Sequence, residues 1–585
     1  MNSFIKGSIS TLTKYHASHF RCMSISQQKI KNSYFSMPGN TLLLSSTLGQ
    51  VLDQSADKCG DGVAIISDFQ GIKKSYLQLR HETERLASAF ISLGLNKGDR
   101  IAICSPNSYE WSLTQYAAAR AGLILVNINP ASQPKELEYC LKKVDCKSLV
   151  IWDTLKSQNY YQILSEIIPN LPNTNPGNIQ LKSLPFLESI IMISDEKRNG
   201  VFNFKDVLEF GTKESDEKLS TIEKTLQFDD PLNIQYTSGT TGLPKGALLS
   251  HHNLVNNAQM LGARLGFHVS KPIACCHLPL FHAFGCVLGS ISVLMYQGTI
   301  VFPSPGFDSV SSLKAIEKYK CTDVFGTPTM YVDMIHHCKQ NKFDTTSLKQ
   351  AIVGGAASTE SLINDIFEEM KVPSVLVGYG ATELSPAVAT NSVGEPKENV
   401  TKGILRPFEY AEFKIVDDKG HLVPVGSQGE LCVRGHYTFM GYWNEEEKTA
   451  EVLNKTHWYH TGDVCVMNED GYIRIVGRKK DMIIRGGENV YPQEIENFIN
   501  THPAVQDAYV CGVPDKRMGE EACAWIHLNE DIQLTADEVR NFCKGKISHY
   551  KIPRYIIFVD EFPKTPTGKV KKYEMTNISI EKLKL

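Results

Sequence analysis

The chain has 585 residues, with 61 Lys plus Arg against 64 Asp plus Glu and a formal net charge of -3. That length exceeds what one hydrophobic core serves, so a large multi-layer domain with at least one smaller domain is expected, and the near balance of charge excludes a global field for nucleic acid or anionic membrane. The 15 cysteines are scattered, only Cys275 and Cys276 being adjacent, which excludes a disulfide scaffold or zinc framework and points to a reducing compartment.

No Asp or Glu occurs before Asp53, while Lys6, Lys14, Arg21, Lys29 and Lys31 lie among serines and threonines. Ile5, Ile9 and Leu12 would share one face of a helix with basic flanks. Residues 1–40 therefore read as a mitochondrial transit peptide with an unordered lead, a plain polar tail being the alternative.

Leu79, Leu86, Phe90 and Leu93 keep helical spacing, and Gly94 stops that helix before a strand from Arg100 to Cys104. A helix over Tyr109 to Arg120, a strand at Leu123 to Val126, a helix over Pro134 to Val144 and a strand at Ser148 to Trp152 follow. This alternation predicts a parallel sheet covered on both faces. From Lys156 to Leu184, where Pro169, Pro172 and Pro176 cluster, a helix and then a surface excursion are expected, and the alternation resumes at Ile190.

The apolar run Leu232 to Tyr236 opens into Thr237, Ser238, Gly239, Thr240, Thr241, Gly242, Leu243, Pro244, Lys245 and Gly246. Glycines let backbone N–H groups converge on an anion, hydroxyls add donors and Lys245 adds charge, so the stretch reads as an anion-binding loop, a flexible Gly/Thr turn being the alternative. Its lysine lies three residues after Gly242 and is followed by Gly246, which separates it from G-x-x-x-x-G-K-[ST].

No charged residue occurs between Lys271 and Asp308, but Gly285, Gly289, Gln297 and Gly298 interrupt the apolar stretch. A buried helix ending near Tyr296 and a strand from Thr299 to Phe302 are expected rather than a membrane span. His336, His337 and Cys338 are assigned no metal. Strands at Thr322 to Phe325, Ala351 to Val353 and Val375 to Val377 end in small residues, Gly354, Gly355 and Ala356 after one and Tyr379 to Glu383 after another.

Beyond Pro407 alternating strands, two joined at Asn468 to Gly471, predict a small antiparallel barrel or sheet. Gly477 to Asp481 marks a domain boundary. Helices from Pro492 and, with a Thr535/Glu538 capping box, after Thr535, plus strands at Ala508 to Val513, Ala522 to Leu528 and Tyr555 to Val559, predict a small α+β domain.

The decapeptide Thr237 to Gly246 resembles the phosphate loop of the adenylate-forming superfamily, which includes acyl-CoA synthetases, luciferases and peptide-synthetase adenylation domains, and the resemblance runs from about residue 45 onward. It implies an α/β N-terminal domain over 41–478, built of α/β subdomains with a small antiparallel β subdomain, followed by a smaller mobile α+β domain over 479–585. The loop from Thr237 to Lys245 would hold the β- and γ-phosphates, Tyr379 would stack on adenine and Gly354, Gly355 and Ala356 would line it. Thr382 would meet the α-phosphate, Glu383 would help hold Mg²⁺, Asp463 would accept from the ribose hydroxyls, and Arg478 would contact ribose and phosphate.

Lys569 resembles the mobile catalytic lysine and Lys480 the hinge. Gly486 and Gly487 resemble the loop that walls the pantetheine tunnel. His282 is either the residue between that tunnel and the acyl pocket or a packed histidine. The resemblance is to medium-chain mitochondrial acyl-CoA synthetases in particular: ATP, Mg²⁺, coenzyme A and a fatty acid would be the ligands. An aryl acid, another acceptor and a catalytically silent lipid-binding relative remain as alternatives, and the sequence leaves oligomeric state open.

Overall fold

The structure is a computed structural model, and it describes residues 31–237, 244–340, 343–486, 488–530, 532–565 and 568–585. The transit-peptide helix, the interior of the phosphate loop (Ser238, Gly239, Thr240, Thr241, Gly242, Leu243) and Gly487 lie outside the described residues.

Helices form where apolar spacing and caps coincide. Ser75 and Gln78 close a capping box at the start of Tyr76–Ser92, whose Leu79, Leu86 and Phe90 are fully buried. The helix Tyr109–Arg120 is buried on nearly all sides, and its Arg120 ends in carboxylates from Asp53 and Glu223. A buried guanidinium needs such partners. The expected Thr535/Glu538 box starts Ala536–Cys543.

Two large sheets enclose these helices. One runs through Ser189–Ile193, Ser148–Trp152, Arg100–Cys104, Ile124–Asn127 and Pro231–Thr237, and closes with Lys245–Ser250 and Gly441–Tyr442. In the other, the parallel strands Thr299–Phe302, Ile273–Cys275, Asp323–Gly326, Gln350–Val353 and Ser374–Tyr379 continue through Ala389–Thr390 and Ile404–Pro407 into antiparallel strands Ile473–Arg478, Tyr459–Met467, Gln428–Arg434 and Glu412–Val416. The antiparallel strands expected after Pro407 are thus hydrogen-bonded onto the parallel sheet rather than set apart. The alternation of side chains along each strand fixes which face is buried, but says nothing about which edge a strand joins.

Tyr34–Ser36 corrects the expectation of an unordered lead up to residue 40. It pairs antiparallel with Glu412–Lys414, and Tyr34 donates to Glu412 Oε2 at 2.8 Å. An exposed sheet edge offers unpaired backbone groups to any extended segment, and basic composition does not reveal that.

The apolar stretch after Phe284 is a π-helix, Gly285–Ser292, followed by the short helix Val293–Met295. Its glycines are points of contact: a Cβ on Gly285 would lie 2.2 Å from the Pro279 carbonyl, and one on Gly289 2.5 Å from Cys276 Sγ. No helix among the described residues is long and apolar enough to cross a membrane. The last sheet is built from Ile483–Arg485, Glu488–Val490, Gly519–Leu528, Val505–Asp515 and Tyr555–Phe558, with its own core around Ile495, Val510, Ala524 and Ile526.

Candidate active site

The parallel strands end level with one another, Gly326 opposite Val353 and Val353 opposite Val377. The segments that leave them, Thr327–Thr329, Gly354–Ala356 and Tyr379–Glu383, line the carboxyl edge where α/β sheets bind ligands. A Cβ on Gly354 would press on the Phe284 ring at 3.2 Å and approach Gly378 O at 3.5 Å. Gly355 has φ +83, and Gly355 and Ala356 are exposed, which leaves open backbone beside Tyr379.

Asp463 and Arg478 face each other across adjacent strands, with Arg478 Nε 2.9 Å from Asp463 Oδ1. The Tyr379 hydroxyl donates to the other carboxylate oxygen at 2.6 Å. Burial pushes the Asp463 carboxyl up, and Arg478 and Tyr379 oppose that rise; Asp463 in turn raises Arg478. Tyr379 therefore spends its hydroxyl on orienting Asp463.

Thr382 and Glu383 begin the short turn Thr382–Leu384. That turn requires Gly380, where a Cβ would stand 1.9 Å from the Pro386 carbonyl. Glu383 is buried and accepts a hydrogen bond from Tyr442 at 2.8 Å. Lys245 Nζ lies 4.6 Å from the centroid of that same tyrosine ring. Thr237 and Lys245 are register partners in adjacent antiparallel strands, and the Pro244 carbonyl accepts from Tyr139. Gly246 sits within the strand: a Cβ there would meet Ile234 at 2.9 Å, so close approach rather than loop freedom calls for glycine.

Lys569 reaches this site from the C-terminal domain. Burial and Arg478 push its ammonium below the ordinary lysine range, while Asp463 and Glu383 pull it back up and Lys480 adds to the depression. Gly568, at φ +81, makes the approach possible, because a Cβ there would be 2.7 Å from Thr329 Oγ1. His282 accepts at Nδ1 from the Phe284 N–H at 3.3 Å, and burial together with Lys569 lowers its pKa to about 3. It is thus a neutral imidazole beside the lysine, compatible with either reading of its role. Cations outnumber carboxylates among Lys245, Arg478, Lys480, Lys569, Glu383 and Asp463, which suits a polyanionic ligand.

Gly486 is not brought to this group. It turns at φ +60, donates to Met518 O at 2.7 Å, and a Cβ would collide with Met518 Cε at 2.5 Å. The neighbouring Arg485 is held by Glu521 at 2.6 Å. A cleft of about 570 Å³ also lies elsewhere, between Thr359–Ser361 and the helix Pro492–Ile499. The charged residues above converge away from that cleft. Tyr442, Thr327 and Thr329 have no warning in the sequence; a lone aromatic and two threonines carry no spacing that singles them out.

This is the layout of a nucleotide-binding enzyme in which a small C-terminal domain completes the site of a larger one. The chain belongs to the AMP-binding enzyme family: that family's model matches residues 52–443, and the model of the AMP-binding enzyme C-terminal domain matches residues 494–569. It is 43% identical over 537 residues, 91% of this chain and 88% of the relative, to the mitochondrial medium-chain acyl-CoA ligase ACSF2 of Danio rerio. It is 38% identical over 544 residues, 93% of this chain and 99% of the relative, to the putative acyl-CoA synthetase YngI of Bacillus subtilis (strain 168). Among solved structures, the anthranilate CoA ligase AuaEII in complex with anthranoyl-AMP superposes with a TM-score of 0.79 at 25% identity, covering 93% of this chain and 99% of that one.

Proposed function

We propose that this protein joins a fatty acid of medium chain length to coenzyme A through an acyl-adenylate made from ATP, with release of AMP and pyrophosphate. The observation that carries the reading is Lys569, on the C-terminal domain, sharing one charged site with Asp463, Arg478 and Glu383. A carboxylate repels nucleophiles and offers no leaving group, and joining it to AMP removes both obstacles. The transition state gathers negative charge at the α-phosphate, where preorganised cations and donors act most strongly.

In this reading the stretch from Thr237 to Lys245, with Ser238, Gly239, Thr240, Thr241, Gly242, Leu243 and Pro244, holds the departing pyrophosphate. Asp463, oriented by Tyr379 and Arg478, accepts from the ribose hydroxyls, and adenine lies against Gly354, Gly355 and Ala356. Lys569 bridges the substrate carboxylate and the α-phosphate as their oxygens approach. Thr382 donates to the α-phosphate.

Glu383 fits Mg²⁺: it offers a buried hard oxygen beside the stretch from Thr237 to Lys245, and among the described residues no group of three His, Cys, Asp or Glu forms a separate cage. Mg²⁺ favours one carboxylate plus phosphates and water, and when bound it supplies charge neutralisation between the phosphates.

The second half-reaction needs room for a thiol where Lys569 now stands. The C-terminal domain, residues 479–585, turns about Lys480 relative to 41–478, withdrawing Lys569 and bringing Gly486 and Gly487 to wall the thiol's path past His282. Pyrophosphate release and loss of CoA thiol, measured across C2 to C20 acids with benzoate and coumarate, test the reading. An optimum between about C6 and C12 is expected in an apolar pocket. An aromatic acid preferred over every fatty acid overturns the substrate class and leaves the ligase.

The relatives named mitochondrial and the acid-free N-terminus support import into the matrix. Residues 1 to about 25 fused to a fluorescent protein are expected to direct it to mitochondria. Diffuse cytosolic fluorescence removes the address without touching the chemistry.

A further inference from the structure

Tyr442 touches two groups of opposite charge. Its hydroxyl donates to Glu383 Oε1 at 2.8 Å, and Lys245 Nζ lies over its ring, 4.6 Å from the centroid. The ring is itself fixed. Tyr442 is 7% exposed, pairs in register with Ala247 two residues beyond Lys245, and donates its backbone N–H to Thr449 Oγ1 at 2.9 Å. The Phe439 ring meets it edge-on with centroids 5.0 Å apart.

A lysine and a glutamate held on one tyrosine, in a half-dry site, would be drawn into a direct pair if the ring were removed, and a direct pair would occupy the charge each needs for a ligand. A phenol hydrogen bond to one and a ring face for the other are single contacts that phosphate oxygens and a metal ion can displace.

We infer that Tyr442 is a positioning residue, a spacer that keeps Lys245 and Glu383 from quenching each other and leaves both directed at one incoming metal–nucleotide. This rests on the assignment of Lys245 to the phosphates and Glu383 to the metal.

Two substitutions separate the ring from the hydroxyl. Tyr442→Leu removes the spacer and is expected to weaken binding of α,β-methylene-ATP with Mg²⁺ about tenfold by calorimetry, the fatty-acid KM staying within about twofold. Tyr442→Phe keeps the ring and the fold. Metal-free nucleotide binding should stay unchanged, while Mn²⁺ bound in the presence of the nucleotide, read by electron paramagnetic resonance, tightens by about threefold, because the hydrogen bond it displaces no longer competes for Glu383.

In a Glu383→Gln background Tyr442→Leu should add little further loss of nucleotide affinity, because no ion pair can form; such non-additivity is not expected of general damage. Wild-type metal and nucleotide binding in both tyrosine variants overturns the inference, as does an equal rise of the KM values for ATP, fatty acid and CoA. If Lys245→Ala and Glu383→Gln themselves bind the metal–nucleotide as wild type, the underlying assignment fails instead.

Discussion

In the proposed reaction Lys569 carries the most exacting requirement, a charged group present at one step and absent at the next. Lys569→Ala is expected to lower acyl-adenylate formation by two orders of magnitude or more, roughly what loss of a transition-state charge contact costs. Thioester formation from supplied acyl-adenylate should be largely kept, and the two half-reactions measured separately decide it. Burial and Arg478 depress its ammonium, so kcat/KM for ATP, which reports the free enzyme, should fall on the alkaline side at a pH below the ~10.4 of an unperturbed lysine. The sign follows because the protonated form is the active one and a lowered pKa loses it earlier as pH rises. His282, lowered to about 3, is neutral throughout and should add no limb near neutral pH. Asp463→Asn keeps the shape but removes the charge held by Arg478 and Tyr379, and a rise of the ATP KM by about ten- to a hundredfold is expected from loss of charge-assisted hydrogen bonds.

At the scale of elements, the site depends on glycines that admit one backbone against another. Gly568 combines φ +81 with a 2.7 Å approach to Thr329 Oγ1, so Gly568→Ala both strains the turn and pushes the Lys569 loop off the large domain. Adenylation is expected to drop about tenfold or more, from a strain of about 1–3 kcal/mol plus displacement, with the second half-reaction less affected. Equal loss in both halves in a folded variant would contradict a role confined to the Lys569 position. The π-helix Gly285–Ser292 works by the same means, its glycines letting it lie against the segment Cys276–Pro279 that leads into His282. Here the sequence marks were present and their meaning was not: a glycine in an apolar run reads as an interruption, and only the neighbour it touches shows why it is there.

At the scale of the molecule, the present arrangement has Lys569 in the site and Gly486 packed on Met518 in the C-terminal sheet. If one domain serves two steps in turn, Lys480→Pro, which fixes φ at the pivot, should impair thioester formation more than adenylation. Gly487→Leu should do the same by obstructing the thiol. Pyrophosphate release against CoA thiol consumption separates the halves, and parallel loss in both variants would mean that no rotation is needed.

Local order was legible because it is local. The helices Tyr76–Ser92 and Tyr109–Arg120 follow from apolar spacing, and the hairpin at Asn468–Gly471 follows from its turn residues. Thr237 to Lys245 could be singled out by its glycines, hydroxyls and lysine, whereas the roles expected of Tyr379 to Glu383, Asp463 and Lys569 came from the resemblance to the adenylate-forming superfamily. What the chain could not state was adjacency. Nothing in the order of residues says that Tyr34–Ser36 closes an edge formed by Glu412–Lys414, that Tyr379 donates to Asp463, or that Tyr442 touches both Lys245 and Glu383. Those contacts join segments tens to hundreds of residues apart, and they exist only once burial has brought the sheets together, because spacing encodes which face of an element is apolar and not which other element will cover it.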